Sequence, residues 1–466
     1  MTHWTENDVL RALPIAERVR RNGDGSPEFD GVATDTRVPA EGALFVALRG
    51  EHFDAHEFLS AAVEGGARAA VVERVPQSAP PLTYYQVPDT LTALGKLARY
   101  RRRQITAPVC AVTGTNGKTT TKEMLRAVLG TKYRVHATAG NLNNLVGAPL
   151  TILSTPEDAE VLVVEIGTNA FGEVARLAEM VEPDLALITS VTEGHLQGFG
   201  NVEGVLREKT SLLPRLRPGG TAFVVDEPVA LADRARSLTR RVRVAGWTER
   251  ADADLRADQV RLDDAARVHF RWQGRDVILP FGGRAHVRNA LLALALGMTL
   301  DVDPAHAVQA LGEMEPPKMR AQVLQFGTLT VLADCYNANP ASLAAALDTL
   351  TAMPRRGGRV AVVGSMLELG HGSERLHREA AEAMARANLD LIVATGLFVQ
   401  AFEPLAAELG ERLVCADDAP GAADALLARL QGNEVVLLKG SRGVALERVI
   451  PRLEAAWNPA EPPAGA

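Results

Sequence analysis

Cysteine is scarce in this chain: Cys110, Cys335 and Cys415 are the only three in 466 residues. They share no metal-ligand spacing and make no disulfide framework, which excludes a stapled scaffold and fits a reducing compartment. No apolar run follows a basic start, and no uncharged stretch is long enough to span a bilayer, so neither a leader nor membrane insertion is expected. A basic excess is missing as well. The net charge is −7, whereas a nucleic-acid binder would want a basic face. The single basic cluster, Arg99-Tyr100-Arg101-Arg102-Arg103, is short and reads as a solvated helix end ahead of a linker. What remains is a cytoplasmic protein, expected as a monomer, that works on small molecules. Its 47% hydrophobic and 23% charged residues are ordinary for a globular protein. The length is too great for one core, so two to four domains are expected.

The most informative stretch that is present runs from Val109 to Met124. Val109 to Thr113 are β-branched and small apolar residues, as in a buried strand of a parallel sheet. Gly114-Thr115-Asn116-Gly117-Lys118-Thr119 makes a tight turn, and helical spacing runs on through Thr120 to Leu129. Strand, glycine turn and helix opening with Lys-Thr is an arrangement that holds a polyphosphate on loop N–H groups and the positive helix end. Lys118 can reach the terminal phosphates, and the Thr119 hydroxyl can hold a Mg2+. The commoner form of this loop starts with a glycine where this chain has Val112, so the loop is a shorter variant. A nucleoside triphosphate is expected here.

Residues 1–105 read as a small α/β domain without a phosphate loop. A helical pattern over Thr5 to Arg21 precedes β-rich stretches at 31–37 and 42–50, a helix from Glu57 to Gly65 and a strand at Ala69 to Val72. Asp35, Thr36, Arg37, Asp54 and His56 lie near strand ends, where small α/β domains put ligands, and suggest a second binding module. Leu91 to Arg103 reads as a helix leading into a central domain, 106–314.

That central domain has an amide-rich turn over 139–150, carrying Asn143 and Asn144, and a strand Val161 to Gly167 with Glu165 near its C-terminal end. In phosphate-loop enzymes an acidic partner of the metal sits there. His195 follows the strand Leu185 to Thr189 in the same relation, so a metal or phosphate role competes with a structural one. Lys209, on a short helix, reads from spacing alone as a surface lysine. Val260 to Leu279 alternates like an antiparallel hairpin, and Asn289 opens an Ala/Leu helix.

Pro316-Pro317 marks the boundary to 315–466, where three strand–helix units and a last strand, Val435 to Gly440, predict a doubly wound, Rossmann-like sheet. No G-x-G-x-x-G follows its strands, so a dinucleotide is not expected. In the loop Cys335 to Pro340, Asn339 and Pro340 fit a helix cap and first turn. Asp334, Tyr336 and Asn337 remain for function.

Gly114 to Thr120 taken with Glu165, His195, Lys209, Arg320 and Asp334 resembles the Mur ligase superfamily, the ATP-dependent amide-forming enzymes of cell-wall synthesis. The stretches Asp334–Pro340, Gly364–Gly370 and Lys439–Arg442 look like the member that adds a D-alanyl-D-alanine dipeptide to UDP-N-acetylmuramoyl-tripeptide. The Asp-Asn-Pro-Arg motif of the diaminopimelate- or lysine-adding relative is absent. The resemblance covers essentially the whole chain and implies three α/β domains: a UDP-substrate domain, a central P-loop ATPase-like parallel-sheet domain, and a C-terminal Rossmann-like domain that binds the dipeptide and closes over ATP. It also implies roles for single residues. Lys118 would bind phosphates, Thr119 and Glu165 one Mg2+, and His195 a second together with a carbamate on Lys209. Asn289 would face adenine, Arg320 the phosphates and Asp334 the ribose, with Tyr336 and Asn337 beside them. Asp35, Thr36, Arg37, Asp54, His56, Asn143 and Asn144 would serve the uridine-nucleotide substrate. Departures from the family pattern stand at Ala285-His286, Met319, Ala333, Cys335 and Ser365. Two other classes stay open: a different ligase of the superfamily, such as a folylpolyglutamate synthase, and a nucleotide-dependent switch without chemistry.

Overall fold

The computed structural model of the chain describes residues 3–20, 27–50, 52–354 and 357–458. Three α/β sheets follow one another along it. The first has five strands, β1 (Glu17–Arg20), β2 (Val32–Ala33), β3 (Leu44–Val46), β4 (Ala69–Val72) and β5 (Thr83–Gln86), in the order β1-β5-β4-β3-β2. Only the β1–β5 pair is antiparallel. The helix expected over 5–21 is replaced by a short strand (His3–Thr5), a helix (Glu6–Ala12) and β1. Thr5 and Asp8 form a capping box that starts the helix, and Pro14, which cannot continue a helix, follows its end. Arg21 lies outside the described residues.

α1 (Thr90–Gln104) joins this sheet to the next, and it is where the reading of the basic cluster fails. Arg102 is 1% exposed rather than solvated. It donates to the carbonyls of Val181, Ile105 and Glu182 and to Asp184 Oδ2, all within 3.1 Å. Arg101 is buried too and donates to Thr155 O, while Arg99 and Arg103 both bond Glu182. The cluster caps the C-terminus of the helix Glu173–Val181, whose last carbonyls need donors. Sequence spacing hid this because the acceptors lie about eighty residues further on.

The central sheet is β6 (Val109–Thr113), β7 (Val135–Ala137), β8 (Val161–Glu165), β9 (Leu185–Ile188), β10 (Thr221–Val225) and β11 (Val242–Ala245). All are parallel, in the order β11-β10-β9-β6-β8-β7. The chain passes from β6 to β7 and β8 on one side, then returns to β9 on the other. The carboxyl end of β6 is therefore the switch point where open α/β sheets bind ligands. α2 (Lys118–Gly130) leaves from that end. The stretch expected as a hairpin is a three-stranded antiparallel meander that starts earlier, at Ala257. α3 (His286–Thr299) then packs along α2.

The third sheet is mixed: β12 (Gln322–Phe326), β13 (Leu329–Asp334), β14 (Arg359–Val363), β15 (Leu391–Thr395), β16 (Leu413–Ala416) and β17 (Val435–Lys439), ordered β12-β13-β17-β14-β15-β16. Its edge strands β12 and β16 were not expected; β12 is antiparallel and only partly buried, which blurs its sequence signal. α4 (Pro340–Ala352) follows β13. Among the described residues no helix is long and apolar enough to cross a membrane.

Candidate active site

The turn after β6 is built from glycines that nothing else could replace. Gly117 has φ +84°, and a Cβ there would meet Asn289 Oδ1 at 2.7 Å. Gly114 has φ +149°, and a Cβ there would lie 2.1 Å from Thr189 Oγ1. The loop is held open from the end of β9. The Asn116 N–H donates to Ser190 Oγ (2.8 Å), while the Thr189 and Ser190 hydroxyls donate to Asn116 O. Thr189 and Ser190 were missed as site residues, although their place after a central strand was the available signal. Lys118 Nζ folds back onto Gly114 O (2.9 Å) and Thr115 O (3.3 Å), at the mouth of the helix that would receive phosphate.

Glu165 is 1% exposed on β8, between β6 and β7, so it is neither at a sheet edge nor in water. Its Oε1 accepts from Thr119 Oγ1 (3.1 Å) and from Asn143 Nδ2 (2.8 Å); its Oε2 is buried without a partner. Lys209 also overturns its sequence reading. It is fully buried on α-helix Val202–Thr210, and its Nζ has no hydrogen-bond partner. The neighbouring Glu208 is engaged elsewhere, accepting from the N–H groups of Gly172 and Val174. Burial, with Lys118 nearby, drives the Lys209 amine well below the usual lysine range. His195 sits in the left-handed region (φ 53°). Its Nδ1 lies 2.6 Å from Glu368 Oε2 of the third sheet's domain, and that contact lowers the Glu368 pKa. Glu165 Oε2 and Lys209 Nζ are thus buried polar atoms left unsatisfied beside the phosphate loop, and such atoms are costly unless a ligand completes them.

That donor set fits a hard divalent cation in part. Among the described residues no three His, Cys, Asp or Glu side chains converge into a cage of their own. A Mg2+ site, however, characteristically uses one or two carboxylates and takes its other oxygens from phosphates and water.

A cavity of about 650 Å³ opens where the central domain meets the third sheet. Asn116, Gly117 and Thr120 line it on one side; Arg320, Asp334 and Tyr336 line it on the other. Arg320 stacks on Tyr336 at 4.0 Å. Asp334 Oδ2 pairs with Lys439 Nζ (3.0 Å), which also donates to Asn337 O (2.5 Å). Asn337 Oδ1 accepts from its neighbour's N–H, a local turn contact. Asn289 reaches Gly117 and donates to His286 Nδ1 (3.1 Å). Burial pushes the His286 imidazole down to about 4, so it is neutral at pH 7. Asn339 was assigned only to capping. It does cap α4, but its amide also pairs with that of Asn116, at 2.8 and 3.2 Å, tying the third sheet's domain to the phosphate loop. Met319 occupies a left-handed backbone (φ 57°), a conformation that glycine adopts more readily than methionine. Cys335 is buried and its thiol is pushed up to about 12 by burial. Ala333 is a fully buried apolar residue at its place on β13. The Ser365 hydroxyl accepts from the Leu397 N–H.

The first sheet's candidates form two separate clusters. Asp35 accepts from the backbone and guanidinium of Arg37 and is held near pH 2 by it. With Thr36 they make a half-buried turn beyond β2 from which Arg37 is exposed. His56 is buried with both ring nitrogens occupied: Nδ1 lies 2.5 Å from Asp54 Oδ1, and Nε2 accepts from the Glu73 N–H. Those contacts pin its loop to the end of β4 and leave no ring nitrogen for a ligand. Asn144 Oδ1 accepts from the Val146 and Gly147 N–H groups at the start of a helix, so its carbonyl oxygen is taken up by that turn. Asn143, by contrast, belongs with Glu165.

The description "Mur ligase middle domain" matches residues 112–297, and "Mur ligase, glutamate ligase domain" matches 319–442. The UDP-N-acetylmuramoyl-tripeptide–D-alanyl-D-alanine ligase of Bacillus subtilis is 34% identical over 94% of this chain and 96% of its own length. The Escherichia coli enzyme of the same name is 36% identical over 91% and 94%. A crystal structure of MurF from Acinetobacter baumannii superposes with a TM-score of 0.87 at 31% identity, covering 97% of this chain and 99% of the other. A MurF from Thermotoga maritima solved with ADP gives 0.81 at 27% identity, covering 91% and 97%. A Mycobacterium tuberculosis folylpolyglutamate synthase, at 17% identity and 0.61 over 78% of this chain and 94% of the other, shares the fold alone. On the match of both family models and of full-length relatives above 30% identity, this chain belongs to the MurF family of the Mur ligases.

Proposed function

We propose that this chain joins D-alanyl-D-alanine to UDP-N-acetylmuramoyl-tripeptide at the expense of ATP, acting as a monomer in the cytoplasm. The observation that carries the reading is the phosphate loop facing a cavity lined from a second domain, with the buried Glu165 bonded to Thr119 next to the loop's lysine. The unit over 106–314 binds ATP, 315–466 receives the dipeptide and closes, and 1–105 holds the uridine nucleotide through Asp35, Thr36 and Arg37.

A carboxylate is inert toward amines at neutral pH because its carbon is electron-rich and its leaving group poor. In the first step a carboxylate oxygen of the tripeptide attacks the γ-phosphorus, ADP leaves, and an acyl phosphate forms. Two anions must meet, so positive charge is required where they do. Lys118 exchanges its loop carbonyls for phosphate oxygens, the loop N–H groups hold the chain of phosphates, and Arg320 reaches in from the other domain. The dipeptide amine then attacks the acyl carbon, the tetrahedral intermediate expels inorganic phosphate, and the nitrogen loses its proton. Water would destroy the acyl phosphate, and closure along the Asn116–Asn339 contact keeps it out. Thr119 and Glu165 suit one Mg2+, and His195 with Lys209 as its carbamate suits another; bound there, Mg2+ supplies Lewis-acid neutralisation of phosphate charge. Burial that lowers the Lys209 pKa favours the neutral amine, the form that takes up carbon dioxide, which supports the carbamate.

The test is phosphate release measured with ATP and each substrate omitted in turn. Release that needs both the UDP-muramoyl tripeptide and D-alanyl-D-alanine is expected. Slow release independent of both would mean a switch, and release with glutamate and a folate would mean the other ligase.

A further inference from the structure

The wall of the nucleotide cavity contains a cation that the reaction above does not use. Arg288, on the first turn of α3, lines the cavity but is fixed on three sides. Its Nε lies 2.6 Å from Asp226 Oδ1 and its Nη2 2.6 Å from Glu227 Oε2. One face of the guanidinium lies 3.8 Å over the ring of Trp247. The support behind it is equally firm. Asp226, 1% exposed at the end of β10, also accepts from the N–H groups of Trp247 and Thr248. Gly246 leaves no room for a side chain, since a Cβ there would lie 2.0 Å from Asp226 Cγ.

Two carboxylates hold the Arg288 guanidinium, so its charge is already compensated and it is poorly placed to bind a phosphate. Val225, Pro228 and Val229 line the same end and supply apolar walls. A rigid, planar, charge-compensated group that rests on an indole and lines a cavity is suited to stacking an aromatic ring. Resting on the nucleotide reading above, we infer that Arg288 is the platform for the base of the nucleotide and favours the larger purine over a pyrimidine. Trp247 acts behind it as a positioning residue.

The decisive variant is Arg288→Lys, which keeps a cation beside Asp226 but has no plane. ADP and inorganic tripolyphosphate binding are compared by calorimetry, and KM and kcat for ATP and CTP by phosphate release. ADP affinity is expected to fall about tenfold while tripolyphosphate affinity holds. KM for ATP rises far more than kcat falls, and the preference for ATP over CTP shrinks. Trp247→Leu, which leaves Arg288 and its carboxylates in place, is expected to weaken ADP about threefold in the same selective way. ADP affinity within twofold of the parent in both variants, or ADP and tripolyphosphate weakening together, overturns the inference. Failure of the unaltered protein to bind ADP at all would instead overturn the nucleotide reading.

Discussion

At the scale of single residues, the most consequential group is one whose sequence context looked ordinary. Lys209 reads as a surface lysine because its neighbours Arg207 and Glu208 are charged; its burial comes from the packing of its helix against residues far away in the chain. If a carbamate there is what the enzyme uses, Lys209→Ala should lose at least about a hundredfold in kcat, and a short carboxylate such as acetate should restore part of it. An alanine variant with near-parental activity, or one that no carboxylate rescues, would remove the carbamate from the account. Glu165 and His195, in contrast, stood out as candidates in the sequence, since a polar residue at or beyond the end of a buried parallel strand has few structural tasks. Asp226 gives a pH test. Burial works to raise its pKa, but the Arg288 guanidinium and the Thr248 N–H and hydroxyl outweigh that and leave it lowered. A carboxyl lowered by folding contributes stability above its unfolded value of about 3.8 and loses it as pH falls through the folded value. Asp226→Asn should therefore cost about 3 kcal/mol at pH 7, and the gap in melting temperature from the parent should narrow below pH 4. A gap that is constant or widens on acidification would show that the charge is not what stabilises this corner.

At the scale of elements, periodicity gave the buried parallel strands and their helices but erred where a helix or strand depends on a distant partner. β6, β8 and β9 are unbroken apolar runs and needed no context. The helix over 5–21 failed because a short strand pairs outside it, and Arg99 to Arg103 failed because their acceptors cap another helix. Arg102→Met should cost about 3 kcal/mol, seen as a lower denaturation midpoint, because it strands two helix-end carbonyls and Asp184. A cost below about 0.5 kcal/mol would return the cluster to the solvated surface. Asn339 has two tasks that substitution can separate. Asn339→Ser keeps a cap on α4 but loses the amide pair with Asn116, so stability should hold within about 0.5 kcal/mol while KM for ATP rises. Asn339→Ala loses both, with about 1 kcal/mol of stability as well. Equal behaviour of the two variants in KM and melting temperature would mean that the cross-domain contact has no role of its own.

At the scale of the whole molecule, three sheets do not mean three independent bodies. Alternation in β3 and β4 sends Leu44, Val46, Ala69 and Val71 to one face, and these side chains join a single core with α1 and the central sheet. Phe45, Ala47, Ala70 and Val72 pack on the other face in a smaller cluster. The third sheet instead builds its main cores from its own two faces and meets the rest around the nucleotide cavity and where Gly370–Gly372 packs on the helix Leu196–Phe199. The main hydrophobic clusters of the third sheet are separate from that of the first two, whereas the first two sheets share one, with Arg102 bonding across it. Scanning calorimetry should then resolve two transitions, 315–466 apart from 1–314. A non-hydrolysable ATP analogue with Mg2+ at about one hundred times its Kd adds about 2.7 kcal/mol to the state that binds it. Because the analogue contacts both units, it should raise the two transitions and draw them together, while a UDP-muramoyl peptide should raise only that of 1–314. A separate melt of 1–105, or an ATP analogue that moves one transition and leaves the other untouched, would show that the cavity is not the joint between the two bodies.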